Sequence, residues 1–146
     1  MSVSITFLGG SGTVTGSKYL VRHNGKSMLM DCGLFQGYKQ LRLRNWQPLP
    51  LSPHEIDSVV LTHAHLDHSG YLPLLTRDGY HRDIHATRGT RALCAILLPD
   101  SGHLQEEEAA YLNRHALSKH QPALPLYTRL DALHSLKQLR PHPFGK

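Results

Sequence analysis

Short apolar stretches in the first half of the chain predict β-strands separated by turns. The predicted strands cover residues 4–8, 18–22, 27–30, 56–61 and 83–86. Asn24 and Gly25 lie at the centre of a predicted hairpin, because these residues readily adopt positive φ angles. Residues 33–55 are polar, contain three prolines and predict a long connection before the fourth strand.

Helical spacing of apolar residues follows in the second half. The predicted helices cover residues 71–78, 90–98, 105–117 and 128–139. Thr87 or Thr90 is expected to cap the second helix, and Pro99 to lie beyond its end, so residues 99–103 are expected to form a cap and turn between two helices. The last helix is expected to present one apolar face, formed by Leu130, Leu133, Leu136 and Leu139. Strands that then alternate with helices predict an α/β domain.

Length and composition fit one domain with a real core. The chain has 146 residues, 40% of them hydrophobic and 18% charged, which argues against disorder. No apolar run reaches the roughly 18 residues that a membrane helix needs. The first eight residues lack a basic leader before an apolar stretch, so a cytoplasmic location is expected. Cys32 and Cys94 are too few for a disulfide framework, and both are expected to be thiols. Cys32 follows Asp31 and could lie near a metal, but a small buried side chain is the favoured interpretation.

The charge and the histidine content bear on possible ligands. The formal net charge of +5 is compatible with a polyanionic partner such as RNA, although the basic residues are scattered. Histidine is over-represented, with 12 in the chain, but only spacing can support a metal site. His103 is expected to be exposed. Eight other histidines share no metal-type spacing and are expected to face solvent: His23, His54, His81, His85, His115, His120, His134 and His142.

The segment 62–70 carries the candidate chemistry. His63, His65, Asp67 and His68 lie directly behind an apolar strand, where α/β folds tend to place their sites. If the backbone is still extended, His63 and His65 point the same way, and two imidazoles can hold one ion. Asp67 and His68 then suit a second ion, Zn²⁺ or Mn²⁺. Two such ions can clamp a phosphate or carbonyl group during hydrolysis. The alternative, a polar surface loop, does not account for this clustering.

Asp31 is the next candidate, because it ends a hydrophobic strand. A carboxylate there can hold a ligand histidine by its second ring nitrogen. The alternative is an ordinary aspartate in a turn at the end of a strand. The loop with Gly9, Gly10, Gly12 and Gly16 matches neither a dinucleotide-binding nor a P-loop spacing and is interpreted as a turn.

The pattern His63-x-His65-x-Asp67-His68 resembles the signature of the metallo-β-lactamase superfamily. Other stretches resemble the β-CASP nucleases of that superfamily, which process RNA. These stretches cover residues 7–17, 19–21, 29–33, 62–73, 86–90, 97–103, 106–109, 124–128 and 131–132. The resemblance therefore extends over nearly the whole chain.

The resemblance implies an αββα sandwich with a two-metal site. His63 and His65 would hold one zinc ion, and Asp67 and His68 a second, with Mn²⁺ as a possible native metal. Asp31 would orient the cluster, so that Asp31 and Asp67 are the predicted catalytic residues beside the metal ligands.

The chain also departs from the pattern of this family. Its members complete the site with a later histidine, a bridging aspartate and a last histidine, and their β-CASP domain, which helps to clamp RNA, comes later still. None of these occurs before Lys146. We therefore expect residues 1–146 to be a partial metallo-β-lactamase domain, the N-terminal half only, without the completing half and the β-CASP domain. A fragment or truncated product is favoured over a natural miniature protein.

Three functions remain as hypotheses. The first is a zinc-dependent ribonuclease of the β-CASP type, endo- or exonucleolytic, or its N-terminal portion. The second is a thioester- or lactone-cleaving hydrolase of the same superfamily. The third is a non-catalytic module that binds a metal or a partner, with possible self-association through an open sheet edge.

Overall fold

One six-stranded sheet organises the part of the chain that the computed structural model describes, residues 2–145. Met1 and Lys146, the chain ends considered above, lie outside the described residues. The strands are β1 Val3–Gly9, β2 Lys18–His23, β3 Lys26–Met30, β4 Ser58–Val60, β5 Ile84–Thr87 and β6 Leu139–His142. The helices are α1 Lys39–Arg42, α2 Leu66–Ser69, α3 Leu72–Arg77, α4 Arg88–Arg114 and α5 Arg129–Leu136, with 3-10 helices at Leu43–Trp46 and Pro53–Glu55.

The sheet is mixed, and its strands follow one another in sequence order. β1, β2 and β3 pair antiparallel, whereas β3, β4, β5 and β6 pair parallel. The hairpin between β2 and β3 turns at Asn24 and Gly25, whose φ angles are 48° and 72°, as its sequence predicts. All five predicted strands are present within two residues of their expected bounds, and the α/β class is confirmed.

A row of apolar side chains across the sheet forms the base of the core. The residues of this row are paired from strand to strand and are Leu20, Leu29, Val59, Ile84 and Leu139. All are at most 3% exposed. Leu29, Val59, Ile84 and Leu139 belong to one core cluster with residues of α3, α4 and α5, which cover this part of the sheet. Since side chains alternate along a strand, the next residues point to the opposite face.

The opposite face of the sheet is apolar but open in residues 2–145. Phe7 pairs with Tyr19, Tyr19 with Met30, and Met30 with Val60, so these side chains share that face. Phe7 and Ile5 are 62% and 57% exposed. The described structure therefore contains one sheet and one helical layer, which is half of the expected sandwich.

The prediction of two helices separated by a turn at residues 99–103 is wrong. A single helix, α4, runs through Pro99, and Thr87 is its N-cap, with its side chain accepting a hydrogen bond from Thr90 N. Proline inside a helix costs about 3 kcal/mol. Burial of Leu98, Pro99, Ser101 and Gly102 offsets this cost, because α4 packs there against the start of α5. A Cβ at Gly102 would lie 2.7 Å from backbone atoms of Thr128 and Arg129, so only glycine permits this approach.

The predicted apolar face of the last helix is also wrong. α5 ends at Leu136, and Leu139 belongs to β6. Leu130 is 59% exposed and Leu133 is 37% exposed, whereas Ala132 and Ser135 are buried. Residues three apart advance by about 300° around a helix, so a series of four spreads over half its circumference rather than along one stripe. The face of α5 toward the core is therefore formed by Ala132 and Ser135, and of the predicted leucines within the helix only the half-buried Leu136 packs against the core.

No helix within residues 2–145 combines the length and the apolar character that crossing a bilayer requires.

The connection between β3 and β4 is held by one buried amide. The side chain of Asn45 accepts a hydrogen bond from Phe35 N and donates one to Phe35 O, each 2.8 Å long. These bonds replace the strand pairing that Phe35 lacks. They also keep the 3-10 helix Leu43–Trp46 against the segment that follows β3.

Replacing Asn45 with alanine should destabilise the fold by about 1–3 kcal/mol, because it leaves buried backbone groups of Phe35 without partners. The midpoint of urea unfolding measures this effect. Gln47→Ala, at an exposed position after the same helix, is the control and should change stability by less than about 0.5 kcal/mol. Equal effects of the two substitutions would contradict the role of the Asn45 amide.

Asp57 ties the start of β4 to β3. Its Oδ2 accepts a hydrogen bond from Ser27 N at 2.9 Å, and its Oδ1 pairs with the guanidinium of Arg82. The Ser27 N–H, followed by Arg82, holds the pKa of the Asp57 carboxyl below its ordinary value.

Because the folded state lowers this pKa, Asp57 stabilises the fold above the ordinary aspartate pKa of about 3.9, and the contribution disappears as the pH falls through the folded value. Asp57→Asn should therefore flatten the loss of stability that accompanies a fall in pH through and below the ordinary aspartate pKa. Urea unfolding at several pH values tests this, and parallel curves for the two proteins would contradict it.

Candidate metal centre

The predicted site residues meet at the edge of the sheet where its parallel strands end. Asp31 directly follows β3, and Thr62 and His63 lie just beyond β4, its parallel neighbour. The chain then turns into α2, with His65 at its N-cap and Asp67 in its first turn. This topology brings residues that are more than 30 positions apart in the sequence into one cluster.

Asp31 is the buried centre of the cluster. It is 2% exposed and has a φ angle of 60°, a left-handed conformation that aspartate and asparagine tolerate better than most residues. Its Oδ1 accepts a hydrogen bond from Thr62 N at 2.8 Å, and both carboxylate oxygens lie within bonding distance of Thr62 Oγ1. Its Oδ2 lies 2.8 Å from His68 Nδ1. This is the contact that the predicted orienting role requires.

The four predicted ligands lie side by side. The ring centroid of His63 is 4.8 Å from that of His65 and 4.1 Å from that of His68. Oδ2 of Asp67 lies 3.3 Å from Nε2 of His68, and Thr62 Oγ1 lies 2.9 Å from His63 Nδ1. In this side-chain arrangement, no three histidine, cysteine, aspartate or glutamate groups among residues 2–145 converge on one ion position. The metal-binding roles of these residues therefore stay predictions.

The donor chemistry of the cluster fits a divalent ion that prefers nitrogen and oxygen ligands. Three imidazoles and the Asp67 carboxylate supply such donors. A proton on His68 Nδ1, shared with Asp31, leaves the Nε2 lone pair of His68 available. The rings of His65 and His68 lie 4.8 Å and 4.1 Å from that of His63, centroid to centroid, so the donors are neighbours although they do not point at one position.

Ser17 and residues 32–34, the segment that follows β3, form hydrogen bonds with the loop that carries His65, Asp67 and His68. Three consecutive carbonyl oxygens accept hydrogen bonds: Leu66 O from Leu34 N, Asp67 O from Ser17 N, and His68 O from Cys32 N, at 2.8–3.0 Å. Gly33 lies flat against this loop, where an added Cβ would be 1.7 Å from Asp67 O.

Lys18 is a buried charge that sequence reasoning missed. It is 2% exposed, and its Nζ donates a hydrogen bond of 2.6 Å to Gly33 O. Burial lowers the pKa of its ammonium to about 8. The sequence pattern could have predicted this burial, because residue 18 shares a strand face with Leu20, which forms part of the core.

Cys32 and the histidines outside residues 62–70 are not part of the cluster. Cys32 is fully buried in the core, and burial raises the pKa of its thiol to about 12. His103 is exposed, as are seven of the eight histidines expected to face solvent; His85 is half-buried. His85 Nδ1 lies 2.9 Å from His142 Nε2 across neighbouring strands β5 and β6.

Comparison with known proteins identifies the family. The sequence profile of the metallo-β-lactamase superfamily matches residues 12–112. The chain belongs to the metallo-β-lactamase superfamily. The matched range includes Asp31 and the whole loop with His63, His65 and His68, and the superfamily implies that this domain binds divalent metal.

Relatives of this metallo-β-lactamase domain confirm the resemblance to the β-CASP group. A ribonuclease of Thermus thermophilus is 38% identical over 138 residues, which are 94% of this chain and 28% of that protein. The transcription termination factor FttA of Methanocaldococcus jannaschii is 33% identical over 73% of this chain and 17% of its own length. Integrator complex subunit 11 of Danio rerio is 34% identical over 67% of this chain and 17% of its own length. The chain thus spans less than a third of each of these relatives.

A solved structure supports the fold alone. A subclass B3 metallo-β-lactamase from a soil metagenome library superposes with a TM-score of 0.50 at 16% identity, covering 98% of this chain and 44% of its own. The metallo-β-lactamase fold predicted from the sequence is therefore confirmed.

Proposed function

We propose that this domain serves a metal-dependent ribonuclease of the β-CASP type. The observation that carries the proposal is the joint placement of Asp31, His63, His65, Asp67 and His68 at one sheet edge. The 38% identity with a ribonuclease over nearly the whole chain supports RNA as the substrate. The net charge of +5 is compatible with that polyanion.

Each residue of the cluster has a proposed role. His63 and His65 hold one zinc ion, and Asp67 and His68 hold a second, with Mn²⁺ as the alternative metal. When bound, such ions activate water and neutralise the charge that develops on the phosphate. Asp31 fixes the ring of His68 through Nδ1, so that Nε2 faces the ion. Asp67 would contribute its carboxylate to the second ion, since its Oδ2 lies 3.3 Å from Nε2 of His68.

The activity of the whole protein is part of the proposal. A later histidine, a bridging aspartate and a last histidine would complete the site, and a β-CASP domain would clamp the RNA. Residues 1–146 then correspond to a partial metallo-β-lactamase domain. The proposed location is the cytoplasm, where an RNA substrate is present.

Cleavage of single-stranded RNA by the full-length protein, with and without a chelator, tests the proposal. We expect cleavage that disappears on chelation, and a loss of at least about a hundredfold when His63 and His65 are replaced by alanine. His103→Ala, at an exposed position on α4, is the matched control and should leave the rate unchanged. Cleavage that survives chelation or the double substitution refutes the proposal. Hydrolysis of a thioester or lactone without cleavage of RNA would favour the second hypothesis.

One part of the third hypothesis, self-association, has an observation in its favour. Val3, Ile5 and Phe7 form an apolar strip on the open sheet face and are 57–62% exposed. The isolated 146-residue chain is therefore proposed to self-associate, whether or not the full-length protein is an enzyme. Light scattering during gel filtration measures this, and a monomer at high micromolar concentration would contradict it.

A further inference from the structure

We propose that Lys18 is a positioning residue, whose buried ammonium holds the backbone beneath the metal-binding loop in place. The inference rests on the proposed function, because it assigns Lys18 a role toward the same site. The side chain of Lys18 contacts none of the predicted ligands. Its ammonium makes three contacts, and main-chain hydrogen bonds connect the residues around it to the loop.

The ammonium group of Lys18 occupies a closed aromatic site. Its Nζ lies 4.6 Å from the ring centre of Phe35 and 4.5 Å from that of Tyr71. The same Nζ also donates the hydrogen bond to Gly33 O. A desolvated cation between two aromatic faces is attracted by both rings. An uncompensated buried lysine is costly, so these three contacts together account for its presence in the interior.

The contacts of Lys18 converge on the segment that supports the loop. Gly33 lies between Cys32 and Leu34, whose N–H groups donate to His68 O and Leu66 O. Gly33 N donates back to Ser17 O, and Ser17 N donates to Asp67 O, so the residue directly before Lys18 bonds both the segment and the loop. The ammonium therefore closes a hydrogen-bonded unit made of residues 17–18, 32–34 and 66–68.

The position of this unit determines where two predicted ligands lie. Asp67 and His68 contribute their own carbonyl oxygens to it, and their side chains project from the same backbone. A shift of the backbone by a few tenths of an ångström would be transmitted to both side chains. Lys18 thus acts on the site through main-chain atoms rather than through a direct contact.

Lys18→Met tests the inference, because methionine keeps the length of the stem and removes the ammonium. Hydrogen exchange should become about tenfold faster at the amides of Ser17, Cys32 and Leu34, the donors to the loop, with little change in α4 and α5. Cobalt titration of the full-length protein, followed by its visible absorption, should show affinity about tenfold lower. Lys26→Met, at the exposed end of the same hairpin, is the matched control and should change neither measurement.

The outcomes separate this inference from the proposed function. Unchanged exchange at the three amides, or an equal increase throughout the chain, overturns the positioning role even if RNA is cleaved. Local acceleration with weaker cobalt binding supports the role even if no RNA is cleaved. If the wild-type protein binds no cobalt, the proposed function fails, and hydrogen exchange at the three amides alone decides the positioning role.

A second variant keeps the inference falsifiable if Lys18→Met does not fold. Phe35→Leu retains the ammonium and removes one of its aromatic neighbours. We expect a smaller acceleration, severalfold, confined to the same three amides. Acceleration spread evenly over the chain would overturn the inference.

Discussion

Replacing Gly33 with alanine is expected to destabilise the folded domain by about 3 kcal/mol and to weaken metal binding together with it. The added Cβ would lie 1.7 Å from Asp67 O and 2.7 Å from His68 N, far inside van der Waals contact. Both neighbours are backbone atoms and cannot rotate away as a side chain can. The loop must therefore move off the segment after β3, which breaks the hydrogen bonds from Leu34 N to Leu66 O and from Cys32 N to His68 O.

Urea unfolding of the two proteins measures the loss of stability, and the same samples can be titrated with cobalt. Gly89→Ala is the matched control, because a Cβ at Gly89 meets no atom within 4 Å and the residue lies in the first turn of α4. Alanine favours helix over glycine, so this control should leave stability unchanged or raise it by up to about 1 kcal/mol. If the Gly33→Ala protein were as stable as the control, Gly33 would not pack against the backbone of Asp67 and His68 as closely as the structure shows.

Replacing Asp31 with asparagine is expected to lower the zinc affinity of the full-length protein by about 10–100-fold while the fold is kept. Asparagine tolerates the φ angle of 60° at this position and can still accept the hydrogen bond from Thr62 N. Its NH₂ group then faces His68 Nδ1, where the aspartate has a carboxylate oxygen. An N–H donor there favours the tautomer of His68 with the proton on Nε2, which leaves no lone pair for an ion.

Competition with a chromophoric chelator measures the zinc affinity, and circular dichroism monitors the fold. Asp78→Asn, at the exposed C-terminus of α3, is the control and should bind zinc as the wild type does. Unchanged affinity in Asp31→Asn would mean that the carboxylate does not set the tautomer of His68. Loss of the fold in this variant would instead assign Asp31 a role in stability, through its bonds to Thr62.

The sequence was sufficient to predict those elements whose structure depends on the preferences of neighbouring residues. Each predicted strand was found because apolar runs bounded by turn residues leave few alternatives, and Asn24-Gly25 specified its hairpin through its backbone preferences. The candidate ligands were found for a similar reason, since His63, His65, Asp67 and His68 lie close together in the chain. Their roles as ligands remain predictions, but these residues lie within six positions of the sequence and are therefore close together in any fold.

Local rules failed where packing against a distant element outweighs them. Pro99 normally ends a helix, yet α4 continues through it because the surrounding turn is buried against α5. The leucines of residues 130–139 suggested an apolar face, yet the small residues Ala132 and Ser135 of α5 are buried, since they allow the closest approach to the core. In both cases the free energy of burial between elements exceeds the local preference of the residue.

The sequence by itself determined which side chains are candidate metal ligands, because their types and spacing are local properties of the chain. Only the tertiary structure decided how they are held. Asp31 contacts His68 across 37 positions, and Lys18 reaches Gly33 across 15. Such contacts depend on which strands become neighbours and on how closely their backbones approach, and neither is encoded in the residues nearest to the site.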